Sequence, residues 1–358
     1  MKKWSLWAFA MGIVALSACN DVDDLYDPAK AMERKLAMYE SAFVKEFGKI
    51  APNQDWGFGS VETRAGKGFV MPEITEEEIE IVRKWFEDNP NPTDYITTLP
   101  WSDFYIQNVY KDENNGQRLK KVYWKSENEE WKNKEFNSGN KENEYTVVTD
   151  MQGEVSFACD DTGNGNNKYT ENHVIVEIDG SYYIRFKVKE GKIDDEWVLK
   201  LSPAQYSNAQ RVIAEDLGTT GDFDFNDVVF DVSSGEGRTI ITVRAAGGML
   251  PLYVDGKEVH ELFSVEVTEM VNTVPGEKRL MPVVFSIDGE LEANAVEITV
   301  NGDNAELYTL TAKQGSAPQK LCVGTDFEWT EETQNLNKKY PKFKDYVEKS
   351  EPKDWWKN

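Results

Sequence analysis

The sequence predicts a mainly β protein, built from antiparallel β-sandwich modules of jelly-roll-like type with a few peripheral helices. Beyond residue 145, short runs alternate apolar and polar residues, the period-two pattern of strands with one buried face. Turn dipeptides such as Asp-Gly and Asn-Gly separate these runs, and no parallel-sheet pattern is visible. The 358 residues include 11 Trp, enough to help fill sizeable cores. Because a domain takes roughly 150 residues, the length indicates about two domains.

The N-terminus has the organisation of a bacterial lipoprotein export signal, and residues 1–18 are predicted to be a signal peptide. A short basic end precedes the uncharged run from Trp4 to Leu16, which is too short to span a bilayer comfortably. The run ends in Leu16-Ser17-Ala18-Cys19, which resembles the lipobox at which bacterial lipoproteins are cleaved and diacylated. The resemblance implies a lipid on Cys19 that ties the protein to a membrane. The alternative is an ordinary thiol beside a cleavage site.

Three carboxylates follow this cysteine, in Asn20-Asp21-Val22-Asp23-Asp24. The segment resembles the acidic export tag of surface lipoproteins in Bacteroidetes-type bacteria. This implies a lipid-anchored protein of the outer membrane that faces the cell exterior. The alternative is a solvated acidic linker, since short acidic runs are common in disordered tethers. Residues 19–65 are accordingly assigned to a lipidated tether and an N-terminal helix.

The overall charge narrows the choice of partner. The chain has 40 Lys and Arg residues against 64 Asp and Glu residues, a formal net charge of −24. Nucleic acid is not expected as a partner, because phosphate binding requires a basic face. Anionic lipid headgroups are disfavoured for the same reason. Divalent cations and neutral glycans remain as partners, with a surface glycan or a protein among the candidates, beside the membrane reached through the lipid on Cys19.

Two helices are predicted ahead of the β-rich region. Apolar residues from Ala29 to Phe47 recur at spacings of three and four, and Gly48 ends that helix. The second helix, from Ile74 to Glu87, has three glutamates in its first turn, which suit the positive end of the helix dipole. Between the helices, Trp56 and Phe58 are expected to anchor a core. They belong to a segment that looks like the pNQxWgF motif of gut-bacterial surface lipoproteins.

Strands are predicted to dominate the rest, in a β-rich domain at 66–203 and a β-sandwich domain at 204–358 that ends in a helix. The stretch from Lys111 to Asn143 is rich in Lys, Glu and Asn, and is predicted to form long surface loops between short strands. Beyond it, four hairpins are predicted from alternating runs that flank turn sequences. They pair 173–178 with 182–188, 228–232 with 239–243, 252–254 with 258–260, and 296–300 with 307–310.

The C-terminal segment is predicted to close the second domain. Residues from Glu331 to Val347 can form an imperfect helix, interrupted at Pro341. Trp355 and Trp356 are expected to dock against the sandwich, because an exposed aromatic pair would form a sticky apolar patch.

The segment most informative about chemistry runs from Glu215 to Phe230. In extended backbone, Asp222, Asp224 and Asn226 project from one face, and a curled loop would bring their oxygens onto one ion. Ca²⁺ takes six to eight oxygen ligands, and Asp216 or Asp227 would complete the shell. The spacing is that of the first half of an EF-hand. An EF-hand is excluded, because Asp227 occupies the place of the required Gly and the final Glu is absent.

Repulsion favours the calcium interpretation over its alternative. Carboxylates crowded into twelve residues destabilise one another unless a cation neutralises them or water solvates them. The flanking Phe223, Phe225 and Phe230 indicate that solvation is partial. The alternative is a tight turn in which the Asp and Asn side chains accept hydrogen bonds from local backbone N–H groups. The loops at 160–166 and 301–304 are weaker metal candidates, because Gly-Asn-Asp clusters are ordinary in turns.

The same acidic segment resembles the EDl…GDyDfNDvV signature of the LruC-type domain, a domain of bacterial surface lipoproteins. Residues 182–184 and 195–204 look like its yYlgF and DWivKiSPA elements, and 326–331 and 339–343 look like its f.wp.E and aYP.F elements. Thr330 departs from the pattern, since Pro is usual there, and Ala214 replaces an aromatic. The resemblance covers roughly residues 35 to 358. It implies surface attachment with cation or partner binding, and no known reaction.

Catalytic motifs are sparse, and the chain is not expected to be an enzyme. It contains two histidines, His173 and His260, both in strand-like runs, and no G-x-S-x-G, HExxH or phosphate-binding glycine loop. Beyond Cys19 there are two cysteines, Cys159 and Cys322. They form a disulfide if their Cα atoms come within about 7 Å, and are otherwise buried thiols.

Three functions from different classes follow. The first is a non-catalytic structural or adhesive surface module with a Ca²⁺-stabilised acidic loop. The second is a glycan-binding lipoprotein that uses exposed aromatic side chains as stacking platforms, with Trp101, Tyr105, Trp124 and Trp131 as candidates. The third is a glycoside-active enzyme, because sequence spacing does not fix the separation of two carboxylates in space.

Overall fold

The computed structural model of the chain describes residues 28–59, 68–112, 119–131, 135–137, 144–161, 168–190, 193–218, 221–302 and 307–357. The predicted signal peptide at 1–18, the predicted lipidation site Cys19 and the acidic run at 20–24 lie outside the described residues. Strands make up 36% of the structure against 17% for helices, so the prediction of a mainly β protein is confirmed.

Two sheets form a first sandwich from residues 104 to 203. The larger sheet contains β1 (Phe104–Asp112), β4 (Tyr145–Val148), β7 (His173–Ile178), β8 (Ser181–Glu190) and β9 (Ile193–Pro203). Its order is β4-β1-β9-β8-β7. The smaller sheet contains β2 (Leu119–Ser126), β3 (Glu135–Phe136), β5 (Val155–Asp161) and β6 (Lys168–Thr170), in the order β3-β2-β5-β6. All pairings between these strands are antiparallel.

The core of the first sandwich lies between these sheets. Trp197 and Phe104 from the larger sheet meet Val122 and Phe157 from the smaller one, and all four are fully buried. Helix α2 (Glu76–Asp88) covers the outer face of the larger sheet with Val82 and Phe86. The Thr75 hydroxyl accepts a hydrogen bond from the Glu78 amide and caps the helix. Both faces of the larger sheet are therefore covered, and the face toward α2 also buries the charged side chains of Arg185 and Lys200.

A second sandwich follows, again from two antiparallel sheets. The larger sheet contains β10 (Gln210–Ala214), β11 (Val228–Gly235), β12 (Arg238–Ala245), β15 (Val283–Asp288) and β18 (Lys320–Val323), in the order β15-β12-β11-β10-β18. The smaller sheet contains β13 (Leu252–Val254), β14 (Lys257–Glu258), β16 (Ile298–Asn301) and β17 (Leu307–Thr309), in the order β14-β13-β16-β17. A one-turn helix, α3 (Val259–Leu262), follows β14.

A helical layer covers the outer face of this second larger sheet. It consists of α1 (Pro28–Phe47), α4 (Leu336–Lys339) and α5 (Phe343–Lys349). Strand β11 is consequently buried along its whole length, because one face meets the smaller sheet and the other meets the helices. The N-terminal helix α1 thus packs into the core of the second sandwich, although the strands of that sandwich come much later in the sequence.

The two sandwiches share a boundary made of specific contacts. Trp101 is fully buried there, and its indole N–H donates to the Pro282 carbonyl at 2.6 Å. Arg238 of β12 pairs with Asp103 and Asp150 of the first sandwich at 3.0 and 2.7 Å. Val284 of β15 belongs to the first core. These contacts fix the two sandwiches against each other.

Most of the predicted local structure is confirmed. Helices α1 and α2 match the two predicted spans, and the hairpins at β7–β8, β11–β12 and β16–β17 form as expected. Trp56 is fully buried, and Phe58 is half-buried against two cores. The predicted C-terminal helix is divided near Pro341 into α4 and α5, and Trp355 is buried.

Two local predictions need correction. The stretch at 111–143, predicted as long surface loops between short strands, contains the two-residue strand β3 but also the eight-residue strand β2, whose Leu119, Val122 and Trp124 enter the first core. Few apolar residues suffice there, because only one face of β2 is buried. His260 lies in helix α3 and not in a strand, since the Glu258 carboxylate caps a helical turn after only two residues of β14.

Candidate functional site

The acidic segment that begins at Glu215 connects β10 to β11, which are neighbours in the larger sheet of the second sandwich. The rings of Phe223 and Phe225 are buried, and Phe223 contacts Tyr39, Phe43 and Phe47 of α1 at centroid distances of 5.5, 5.5 and 5.3 Å. Both residues have positive φ, 50° and 54°, which is unfavourable for a bulky side chain. Burial of the rings in the helical layer offsets this strain and fixes the positions of the polar side chains between them.

Two of the predicted ligands are held by main-chain amides. Asp216 Oδ1 accepts from the Gly218 amide at 2.5 Å, and Asp216 Oδ2 accepts from the Leu250 amide at 3.2 Å. Asp227 Oδ2 accepts from the Asp216 amide at 2.6 Å. These bonds are of the kind expected from the turn alternative. They also bring residues 248–250 against the acidic segment.

Asp224 and Asn226 join the acidic segment to the C-terminal region. Asp224 Oδ2 accepts from the Thr333 amide at 2.7 Å, and the Asp224 carbonyl accepts from the Thr330 hydroxyl at 2.6 Å. Asn226 Nδ2 donates to the Thr330 carbonyl at 3.1 Å. Asp222 is half-buried, and its Oδ1 accepts from the Phe223 amide at 3.2 Å.

Two buried oxygens at this junction accept no hydrogen bond from the described part of the chain. They are Oδ1 of Asn226, a residue with 0% exposure, and Oε2 of Glu332. Both lie beside Gly247, where a Cβ atom would stand 2.5 Å from the first and 2.8 Å from the second. Buried acceptors without a donor are rare in native proteins. Two such oxygens close to the same glycine are candidate ligands of one cation.

Burial and mutual repulsion raise the pKa of the acidic side chains around this point. Burial is the main cause at Glu215 and Asp227, whose pKa lies well above the usual range, and neighbouring carboxylates add to it. Burial, followed by the charge of Glu332, raises the pKa of Asp224 to about 7. The pKa values of Asp222 and Glu332 are raised by burial and by other carboxylates in the same way. Among the described residues, no basic side chain is one of the main contributors to the pKa values of these five groups.

A second buried carboxylate shows the opposite arrangement. Asp231 of β11 is also buried, which by itself raises its pKa, yet Arg244 and Arg211 lower that pKa below the usual value. Arg211 Nε lies 2.7 Å from Asp231 Oδ1, and Arg244 Nε pairs with the other oxygen. Within the described ranges, no comparable arginine pair acts on the carboxyls of the acidic segment that ends four residues earlier. A bound cation would supply the missing positive charge.

The structure therefore brings the five predicted ligands into one region and adds two residues. Glu215 accepts from the Phe225 amide at 2.6 Å, and Glu332 supplies the unpaired oxygen. Glu215 is the first residue of the acidic signature, so the sequence already indicated it as a ligand candidate. Glu332 lies far from the acidic segment in the sequence, and only folding brings the two together. Within the described ranges no three His, Cys, Asp or Glu side chains form a metal-binding group, so an ion here would also depend on the amide of Asn226 and on carbonyls.

The raised pKa of Asp224 predicts an unusual pH dependence of metal-free protein. Because this pKa is above the unfolded value of 3.8, the protonated carboxyl stabilises the fold at low pH, and that stability is lost as the pH rises toward about 7. The free energy of unfolding should fall between pH 5 and 7, by at most about 1.4 kcal/mol per pH unit for each proton. Urea titrations at several pH values measure it.

Asp224→Asn serves as the control, since it should reduce the slope of that pH dependence. Ca²⁺ should reduce it as well, because the ion competes with protons for the same oxygens. A free energy of unfolding that rises from pH 5 to 7 without metal would contradict the assigned pKa.

The aromatic platforms predicted for glycans are mostly inaccessible. Trp101, Tyr105 and Trp124 are 0%, 1% and 7% exposed, so their faces cannot stack on a sugar, and core packing explains them. Trp131 is half-buried, with Lys125 over its ring at 4.8 Å.

The other candidate residues lie in ordinary structural positions. Cys159 and Cys322 are buried thiols in different sandwiches, as one of the two interpretations expects. His173 lies in β7, where burial lowers its pKa, and His260 is buried with its Nδ1 3.1 Å from Glu258. Residues 162–166 and 303–304 of the two weaker metal loops lie outside the described residues.

In the described part of the chain, no helix has both the length and the apolar character needed to cross a membrane. Comparison with protein-family models, curated proteins and solved structures found no match. The resemblance to the LruC-type domain therefore stays a prediction, carried by the residues of the acidic signature.

Proposed function

We propose that the protein is an exported, lipid-anchored cell-surface protein that acts as a non-catalytic structural or adhesive module, stabilised by Ca²⁺ at its acidic segment. The observation that carries the calcium part is a pair of buried oxygens, on Asn226 and Glu332, that have no donor among the described residues. They lie within a group of carboxyls for which the described residues supply no basic partner. Leaving such acceptors unsatisfied costs about 1–3 kcal/mol each, and more for a charged group. A cation removes this cost and the repulsion together.

The proposed ligands are Asp224, Asn226 and Glu332. Carboxylate, amide and carbonyl oxygens are the hard ligands that Ca²⁺ prefers, and it takes six to eight of them with flexible geometry. Asp222 is the nearest source of a further carboxylate, since its charge raises the pKa of both Asp224 and Glu332. Asp216, Asp227 and Glu215 are held by amides. A bound ion would favour the charged forms of Asp227 and Glu215, whose pKa is raised without it. The ion would thereby fix the C-terminal region to the loop before β11.

Calcium binding to purified protein tests this ligand set. Glu332→Gln keeps the shape of the side chain and removes its charge, so Ca²⁺ affinity measured by calorimetry should fall on the order of tenfold or more. Glu331→Gln is the matched control, because Glu331 is exposed and adjacent in the chain, and its affinity should equal that of the wild type. Equal losses in both variants, or none in either, would refute the assignment.

The anchor is proposed from the sequence of the N-terminus. Only eight residues separate Cys19 from helix α1, a reach of about 30 Å when fully extended, so the second sandwich would lie close to the membrane. We expect metabolic labelling with a radioactive fatty acid to mark the wild type and to be lost in Cys19→Ala. Protease added to whole cells should degrade the wild type, which tests the outward orientation. Unlabelled wild-type protein would refute the anchor, and protection from protease would refute only the orientation.

A further inference from the structure

A cleft of about 190 Å³ lies where the two sandwiches meet. The first sandwich contributes Glu177 and Tyr182, from the β7–β8 hairpin, and the second contributes Arg244, Asn272, Arg279 and Trp329. A concave site between rigid modules, with aromatic walls and a few charged groups, is the usual form of a small-molecule site. It is separate from the acidic segment, whose proposed ligands do not line it.

Two guanidinium groups converge on this cleft in a chain of net charge −24. Arg244 is fixed by Asp231, which it contacts through Nε. Among the described residues no carboxylate forms an ion pair with Arg279, and its guanidinium lies 5.9 Å from the ring centre of Trp329. Both arginines act on the half-buried Tyr182, where they oppose the rise in pKa that burial and Glu177 produce. Because Arg279 donates no hydrogen bond to the described residues, its guanidinium can bind a carboxylate through two parallel bonds.

The other walls indicate more than a bare anion. Trp329 is half-buried, and its indole N–H donates to the Asn272 carbonyl at 2.9 Å, which fixes the ring. Arg211 and Arg279 lie over this ring, 5.5 and 5.9 Å from its centre, so Trp329 orients the guanidinium groups. Tyr182, which lines the same cleft, is the aromatic side chain left to pack against the apolar face of a sugar ring. Glu177 is a hydrogen-bond acceptor for hydroxyl groups, and it would repel a ligand that carried only negative charge.

We propose that this cleft binds a carboxylate-bearing sugar, such as a uronic acid residue of a surface glycan. Arg279 and Arg244 would hold the carboxylate, Trp329 would orient Arg279, the ring of Tyr182 would contact the sugar ring, and Glu177 would accept from its hydroxyls. This site differs from the predicted platforms, and it does not depend on the calcium proposal.

Titration of the Ca²⁺-treated protein with three probes tests the proposal. Glucuronate should bind saturably in ligand-observed NMR, and glucose and acetate at the same concentrations should bind at least about tenfold more weakly. Arg279→Gln should weaken glucuronate binding at least about tenfold, since it removes a charged bidentate contact. Lys278→Gln is the matched control, because Lys278 is adjacent, exposed and paired with Asp94, and it should bind as the wild type does.

Several results would overturn the proposal. They are no binding of glucuronate, equal binding of glucose, equal binding of acetate, or an Arg279→Gln variant that binds as the wild type does. Equal binding of acetate would mean that the arginines select a free anion. Arg279 is exposed, so its substitution should leave the melting temperature unchanged, and a shift would require repeating the test with Arg279→Lys. Loss of the bidentate contact in Arg279→Lys should also weaken binding, and full affinity in that variant would contradict the proposed geometry.

Discussion

Removal of Ca²⁺ is expected to lower the melting temperature of the protein by about 5–10 °C. An ion present at 100 times its dissociation constant stabilises the folded state by about 2.7 kcal/mol. Each kcal/mol shifts the melting temperature by about 2–4 °C in domains of 150–250 residues. The effect should be large because Asp224 and Asn226 are buried, and because Asn226 Oδ1 and Glu332 Oε2 are buried atoms that accept no hydrogen bond from the described residues. Differential scanning calorimetry with and without a calcium chelator measures it.

The control for this experiment is Mg²⁺, which should restore less of the lost stability. Mg²⁺ demands near-ideal octahedral geometry and dehydrates reluctantly, whereas Ca²⁺ accepts irregular sets of oxygens. In Glu332→Gln the chelator should have little further effect, because the site is already weakened. An unchanged melting temperature of the wild type after complete removal of metal would show that the turn interpretation alone explains the acidic segment.

Asp231→Ala is expected to destabilise the protein by about 3–5 kcal/mol, the largest effect of any single substitution proposed for this chain. Its carboxylate is 4% exposed and is shared by Arg211 and Arg244. Removal of the anion leaves two partly buried guanidiniums without their counter-charge, which costs more than the pair itself contributes. Urea unfolding in saturating Ca²⁺ measures the loss without interference from the metal site.

Asp94→Ala is the matched control for that substitution. Asp94 also pairs with a basic residue, Lys278, but both side chains are exposed, at 73% and 65%. Exposed ion pairs contribute about 0–1 kcal/mol, so this variant should unfold almost as the wild type does. A comparable loss in both variants would mean that burial does not determine the contribution of these ion pairs.

Prediction from the sequence succeeded where a local pattern determines a local structure. The Asp179-Gly180 dipeptide between two alternating runs gave the β7–β8 hairpin, and the spacing of Tyr39, Phe43 and Phe47 gave the buried face of α1. Prediction failed where only a few apolar residues distinguish a strand from a loop. The strand β2 has few aliphatic residues, so its composition resembles a loop, although Leu119, Val122 and Trp124 fill the core.

The site was predicted only in part, because its residues come from distant segments. Asp222, Asp224 and Asn226 alternate along the chain, and this spacing alone indicated a shared environment. Glu332 lies more than a hundred residues later and reaches the site through the hydrogen bonds of Thr330 and Thr333. The space beside Gly247 depends on the position of β12. No sequence pattern encodes such a convergence.

Anomalous diffraction from a crystal of the protein grown with Ca²⁺ tests the central claim most directly. We expect one anomalous peak beside Gly247, about 2.3–2.6 Å from Asn226 Oδ1 and from carboxylate oxygens of Asp224 and Glu332. Contradiction would be a crystal at saturating Ca²⁺ with no peak there, in which the two oxygens accept hydrogen bonds from water or from protein donors.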